Sequence, residues 1–310
     1  MEQHPSTARF RRFNVAASLF LCMSSLADAQ PVENPDVYAL ASHVADEIEL
    51  IREVMGRPFD DSPRLPATGV SQFEVYFQAQ TLFRKSNQLA QEYTGTARIP
   101  APPVPEGELE PSDTHAVVAA ALEQVMLVKE ALGIDMQLPE QSRGSASATG
   151  VFMTILDTNR QLNLLIDVPI LPRDVFEQVT LAVLYSAAIL SNRGVEDYVP
   201  EAAPFDGYKR PADVYGLLLS SADVLSRMAE KSGVSVLRLS SRRNIPDDIE
   251  PGHVYDVARI LVAGLAILSD ALDAQDVFPD LEQPELIFPT QVYARTTVLL
   301  QQLEQADALL

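Results

Sequence analysis

Histidines that stand one helical turn from carboxylates could hold a metal ion. His43 stands three and four residues before Asp46 and Glu47, and Glu250 stands three residues before His253. Metal-binding helical bundles need several inward glutamates and paired Glu-x-x-His motifs on facing helices. The one Glu-x-x-His of this chain is interrupted by a Pro-Gly pair. The pattern favours capping or solvated roles, and a metal-dependent bundle enzyme stays as a third hypothesis.

A second pattern is an aromatic ring at one repeated position. In the eight helices predicted below, the residue after the first buried position is aromatic in seven and histidine in the other. Such rings could line a ligand pocket, because tyrosine offers an apolar face and a hydroxyl. Alternatively, each ring packs beside its own helix. The candidates for ligand or partner contact are Tyr38, Tyr76, His115, Tyr215, Tyr255 and Tyr293.

The elements that must position these residues are amphipathic helices. Positions 0, 4, 7, 11 and 14 from eight aligned starts give forty residues, of which thirty-four are apolar and none is charged. That spacing is typical of the buried stripe of a packed helix. The sequence therefore predicts an all-α fold with eight main helices. They begin near Val37, Val75, Thr114, Val151, Val175, Val214, Val254 and Val292.

Residues at the helix ends support the same boundaries. A proline stands three residues before the aligned position in five helices, where it costs no hydrogen bond. The second helix instead begins with Ser71-Gln72-Phe73-Glu74, which is a capping box. Glycines near the predicted ends are typical of left-handed C-caps. They are Gly56, Gly95, Gly133, Gly194 and Gly233.

The aligned starts also indicate a duplication. The last four lie 138, 139, 140 and 141 residues after the first four. The sequence predicts two tandem, internally duplicated four-helix units with long linkers, at residues 30–168 and 169–310, which could pack as one domain. A linker of 15 to 18 residues is long enough to return alongside a helix. Parallel and antiparallel helix orders therefore both stay open.

The N-terminus has the order of a secretory signal peptide. Basic residues precede an apolar run at 13–26, which ends in Ala27-Asp28-Ala29. We predict a signal peptide at 1–29, cleaved after Ala29, and no membrane span afterwards, because the run is too short to cross a bilayer. Cys22 is the only cysteine and leaves with the signal. The predicted location is the periplasm or the cell exterior.

The net charge and the absence of known catalytic motifs exclude several classes of function. The net charge of −20 becomes about −21 when three arginines and two carboxylates leave with the signal, and such a field repels nucleic acid. We find no nucleophile motif, phosphate loop or dinucleotide fingerprint, and therefore expect no catalytic residue, cofactor or metal. The sequence favours a non-catalytic helical-repeat protein that serves as an interaction or scaffold module in the cell envelope. Its partner would be another protein; the alternative is a small-molecule-binding bundle that uses the repeated aromatic positions.

Overall fold

The structure is a computed structural model that describes residues 31–310 apart from 62–65, 106, 140–143, 168, 240–244, 246–248, 278, 280 and 282. The predicted signal peptide lies outside the described residues. Val32–Leu310 form one compact unit. The division into two duplicated units stays a prediction.

Eight helices make up most of the described chain and confirm the predicted all-α fold. They are α1 (Asn34–Met55), α2 (Gln72–Thr94), α3 (Pro111–Ala131), α4 (Ala148–Leu165), α5 (Pro172–Asn192), α6 (Pro211–Lys231), α7 (Pro251–Ala271) and α8 (Pro289–Leu309). Two short strands were not predicted. They are β1 (Ala67–Thr68) and β2 (Arg238–Leu239), which pair antiparallel with Ala67 opposite Leu239.

The core is the predicted stripe. All forty stripe residues are buried, and none has more than 3% of its surface exposed. Removing the apolar side chains from water is the main stabilising contribution to the bundle. Three of the stripe hydroxyls bond within their own helices: Thr158, Ser221 and Thr296 each donate to the carbonyl four residues earlier, at 2.8 to 2.9 Å. Such bonds satisfy these three hydroxyls in the core, whereas those of Ser86 and Thr114 have no hydrogen-bond partner among the described residues.

The helix ends follow the predicted signals. Proline is the first residue of α3, α5, α6, α7 and α8. At the start of α2, the Ser71 N–H donates to Glu74 Oε2 at 2.6 Å. The five predicted glycines have φ values of 63° to 78°, which glycine adopts without steric cost. At the end of α7 no glycine is present, and Asp273 takes a left-handed conformation with a φ of 50°.

Each group of four helices packs in the same neighbour order. In the first set, α1–α4, helices α1 and α2 each contact α3 and α4. In the second set, α5–α8, helices α5 and α6 each contact α7 and α8. Helices α1 and α2 therefore lie across their bundle from each other, as do α5 and α6. The third and fourth helices of each set are diagonal in the same way, whereas the second and third are neighbours.

The helices within a set run parallel. The first prolines and first stripe valines of all four helices in the second set surround one apolar cavity of about 20 Å³. In the first set, Gln72 donates to Asn34 at 2.9 Å and joins the starts of α2 and α1. The Asp167 N–H, after α4, donates to Glu92 near the end of α2 at 2.8 Å. Lys129 and Glu47, bonded at 2.6 Å, lie in the second halves of α3 and α1.

A linker that returns along its helix makes this parallel order possible. Asn87 of α2 donates to the Ile99 carbonyl at 2.7 Å, and the Tyr76 hydroxyl donates to the Pro103 carbonyl at 3.1 Å. Residues later in the linker thus lie beside residues earlier in α2. The side chains of α2 satisfy backbone groups that would otherwise lack partners in this long connection.

Helices α2 and α7 join the two sets and run antiparallel. Arg259 of α7 contacts Thr81 at 3.1 Å, whereas Asp256, earlier in α7, contacts Lys85, later in α2, at 2.7 Å. The β1–β2 pair adds a second connection between the sets. Glu74 strengthens it by accepting the Leu237 N–H at 2.6 Å. Burial of Glu74 raises the pKa of its carboxyl group.

Among the described helices, α5 is long and apolar enough to cross a membrane by length and composition. Its most apolar window has a mean hydropathy of 1.3, and 56% of that window is buried inside the structure. A core helix of a bundle has the same properties. This resemblance to a membrane span is weak evidence for one.

Candidate functional site

Helices α1 and α4 line a groove with a volume of about 810 Å³. Residues from 38–49 of α1 face residues from 150–161 of α4, and the α1–α2 linker contributes residues 59–61. We call this the α1–α4 groove. Its volume is within the range of known ligand sites, about 300–1,000 Å³.

Asp60 holds the linker wall of the groove in place. Its carboxylate accepts two hydrogen bonds from Arg160, both of 3.1 Å, and lies 3.0 Å from His253 Nε2. Gln161 donates to the Asp60 carbonyl and accepts from the Asp60 N–H, both at 3.1 Å. Because this wall is already ordered, little conformational entropy would be lost there on binding.

The groove is acidic. Among its described lining residues are five carboxylates and one guanidinium, that of Arg160. Arg52 hydrogen-bonds Glu49 at 2.5 and 2.7 Å and holds the pKa of that carboxyl group below its usual range. Glu49 is therefore ionised at neutral pH. The acidic lining residues are Asp46, Glu49, Asp60, Asp61 and Asp157.

Aromatic surface accompanies these charges. Tyr38 and Phe59 both line the groove, and 37% of the Tyr38 surface is exposed. The Arg52 guanidinium carbon lies 5.6 Å from the centre of the Phe59 ring. A ring face beside carboxylates attracts a cation through its quadrupole as well as through charge. The lining is suited to bind a cationic group.

A second groove lies between α5 and α8, with a volume of about 550 Å³. We call it the α5–α8 groove. Its lining includes Phe176 of α5 and Arg295 of α8, and the Arg295 guanidinium carbon lies 4.7 Å from the Phe176 ring centre. Linker residues 199–202 and the side chains of Leu281 and Pro284 complete it. Glu201 is its one carboxylate among the described lining residues.

The ring positions predicted from the sequence lie in different surroundings. Among the six, only Tyr38 belongs to the described lining of the α1–α4 groove. Tyr76 is buried, and its hydroxyl accepts from Gln80 at 2.9 Å while donating to the returning linker. Tyr215 is also buried. Tyr76 therefore supports the packing interpretation of this repeated position.

The other three candidates are half-buried: His115, Tyr255 and Tyr293. The Tyr293 ring packs edge-on against Phe205 at 5.0 Å, with Lys209 Nζ 4.7 Å from its centre. Tyr255 has Lys85 Nζ 6.0 Å from its ring centre. Neither groove includes these three in its described lining. Neither groove therefore brings the six positions together.

The histidine–carboxylate pairs have other partners. His43 Nε2 lies 3.8 Å from Glu47, which bonds Lys129. His253 Nδ1 accepts the Glu250 N–H at 3.1 Å, as the capping interpretation predicts. In the part of the chain that the structure describes, no group of three or more His, Cys, Asp or Glu residues is arranged to hold a metal ion.

Sequence reasoning missed the carboxylates of the groove. The sequence patterns point to Asp46 only beside His43 and do not point to Asp60. A signal was present: Asp157 stands six residues after Val151, where α8 has Val298 six residues after Val292. A charge at a position that is apolar in the matching helix marks a local departure from the repeat.

Comparison with protein-family models, with curated proteins and with solved structures found no match. The fold and the groove define a class of architecture. The protein is an all-α protein of two parallel four-helix sets, with an acidic groove on the first set.

Proposed function

We propose that this is an exported, non-catalytic interaction protein of the cell envelope, which binds a segment of another protein in the α1–α4 groove. The observation that carries the proposal is the groove itself, with carboxylates and an exposed tyrosine along a volume of about 810 Å³. The proposed site of action is the periplasm or the cell exterior, after cleavage of residues 1–29. Helical repeat proteins commonly present such surfaces to partners.

Two properties of the molecule support this function. The strong negative charge of the whole chain, −20, would attract a basic partner and speed its association. The ordered wall at Asp60 keeps the groove open between two helices whose stripes are already buried. The groove therefore needs no rearrangement to accept a side chain.

Site-specific photo-crosslinking in cells tests the proposal. A photoreactive phenylalanine at Ser42, which lines the groove, should crosslink to a discrete partner polypeptide. The same residue at Tyr208, which is 98% exposed and outside both grooves, is the matched control. Thr154→Arg, which places a long side chain in the groove, should remove the Ser42 product. A Ser42 product that matches the control, or that persists in Thr154→Arg, would contradict the proposal.

A further inference from the structure

The two grooves occupy corresponding places in the two sets, and this permits a comparison within one molecule. Tyr38 follows the first stripe valine of α1, as Phe176 follows that of α5. Thr154 stands three residues after the first stripe valine of α4, as Arg295 does in α8. All four residues line their respective grooves.

In the α5–α8 groove, an arginine covers the aromatic ring. The Arg295 guanidinium carbon lies 4.7 Å from the Phe176 ring centre, and Phe176 is only 2% exposed. A planar guanidinium stacks on a ring face better than an ammonium does, because its charge is delocalised and weakly hydrated. The protein thus contains its own example of a guanidinium bound on the aromatic ring at this repeated position.

In the α1–α4 groove, the corresponding ring has no such cover from α4. Thr154 is short, and its hydroxyl donates to the Gly150 carbonyl at 3.1 Å. Gly150 itself stands where α8 has Gln291. Tyr38 is 37% exposed. Space in the α1–α4 groove therefore corresponds to the place that Arg295 fills in the α5–α8 groove.

The two grooves also differ in charge, and this difference again favours a cation in the α1–α4 groove. Asp46, Glu49 and Asp157 line the α1–α4 groove. Their counterparts in the second set are all apolar: Leu184, Ala187 and Val298. The first groove therefore has a threonine where the second has the arginine that covers the ring, and it has carboxylates along its lining. These are two separate differences, one of shape and one of charge.

We propose, building on the function proposed above, that the α1–α4 groove binds an arginine-containing basic segment of the partner. An arginine guanidinium of the segment stacks on Tyr38, as Arg295 does on Phe176, and other basic groups of the segment pair with the carboxylates along the groove. Asp157 lies 3.9 Å from Arg160, and Asp46 and Asp61 complete the acidic surroundings. Arginine is favoured over lysine because stacking and forked hydrogen bonding both need the planar group.

The test uses fluorescein-labelled peptides and fluorescence anisotropy on the purified chain at physiological salt. One peptide alternates glycine and arginine, a second replaces arginine with lysine, and a third replaces it with uncharged citrulline. The arginine peptide should bind about tenfold more tightly than the lysine peptide, which is the expected size of a partly desolvated cation–π contact. The citrulline peptide should not bind.

Variants then assign the effect to the groove. Tyr38→Ala should lower the affinity for the arginine peptide about tenfold, to that for the lysine peptide. Thr154→Arg should abolish binding, because the guanidinium of the new side chain would itself occupy the place on Tyr38. Tyr208→Ala, at an exposed tyrosine outside the groove, should bind as the natural chain does. Unchanged thermal unfolding of each variant shows that the fold is intact, and Tyr38→Phe, which keeps the ring, should retain the preference for arginine.

Equal affinity for the arginine and lysine peptides, or an arginine preference that survives Tyr38→Ala, would overturn the inference. The absence of peptide binding would also overturn it. If the Ser42 crosslink persists in that case and is removed by Thr154→Arg, the proposed function stands and only the partner chemistry is wrong. If the crosslink fails as well, both proposals fail.

Discussion

At the scale of single residues, a buried ion pair joins the two helix sets. Lys85 Nζ donates to Asp256 at 2.7 Å and to the Asn159 carbonyl at 3.2 Å, and both charged side chains are almost fully buried. Arg259 lies beside them, with its guanidinium carbon 4.0 Å from the Phe77 ring centre. Burial lowers the pKa of Arg259 to about 9. Charges in this environment are tolerated only because each has partners.

Asp256→Asn should destabilise the fold by about 3–5 kcal/mol, because it leaves Lys85 buried without its counter-charge. Chemical denaturation of the two chains measures the difference. Asp307→Asn is the control: its partners Arg227 and Lys231 are largely exposed, and the loss should be at most about 1 kcal/mol. The double variant Lys85→Met with Asp256→Leu should recover stability relative to Asp256→Asn. Equal losses in the two single variants would contradict a buried pair.

The stability of the Asp256→Asn variant should also depend on pH in a characteristic way. Burial lowers the pKa of Lys85, although Asp256 opposes this, so removing Asp256 should lower it further. The unfolded chain then binds more protons than the folded one at alkaline pH below about 10.4, and stability rises with pH there. The loss of unfolding free energy that Asp256→Asn causes, relative to the natural chain, should therefore become smaller between pH 7 and pH 10. A deficit that stays constant across this range would show that Lys85 is not responsible.

At the scale of helices, the contact between α4 and α7 depends on a glycine. A Cβ on Gly252 would come within 2.6 Å of Asn163 Nδ2 and 2.9 Å of its Cγ. Asn163 Nδ2 also donates to Asp256 at 3.4 Å, so a shift of Asn163 would change the surroundings of the buried ion pair. The first turn of α7 thus approaches the last turn of α4 only because residue 252 has no side chain.

Gly252→Ala should therefore destabilise the protein by about 1–3 kcal/mol through overpacking between the sets. Thermal unfolding of the variant provides the measurement. Gly150→Ala is a matched control in the first turn of α4, because its Cβ would meet only Ser147 Oγ, at an ordinary 3.8 Å. A neutral effect of Gly252→Ala would mean that α4 and α7 can separate at no cost.

At the scale of the whole molecule, the two parallel sets oppose each other. Parallel helices align their dipoles unfavourably, and acidic residues near the helix starts offset part of this cost. Such residues are Asp36, Glu74, Asp113, Asp174 and Asp213. The antiparallel contact of α2 with α7 also places the dipoles of one set against those of the other. This arrangement gives a physical reason for packing two such sets in one unit.

Export also concerns the whole chain. If residues 1–29 are removed, the exported protein should begin at Gln30, contain no cysteine, and unfold at the same temperature with and without a reducing agent. Intact-mass measurement on protein from the periplasm or medium checks the first residue. Ala29→Phe should leave uncleaved precursor, because the cleavage site needs small residues. An exported chain that still contains Cys22 would contradict the proposed cleavage.

Local chemistry was sufficient to predict the helices. The stripe at Val37, Ala41 and Val44, the first-turn prolines and the C-terminal glycines each act within a few residues, so one sequence reveals them. The groove could not be predicted in this way. Asp60, Arg160 and His253 come from distant parts of the chain, and no local pattern shows that they meet.

Helix direction shows the same limit. Linker length allowed both orders, and the parallel one is evident from tertiary contacts, such as the meeting of Pro172, Pro211, Pro251 and Pro289 at one end. The periodic burial of a helix is the same whichever way its neighbour runs, so stripe patterns carry no information on direction. Direction, the returning linkers and the shape of the grooves follow from packing between segments that are far apart in sequence, which is why they required the tertiary structure.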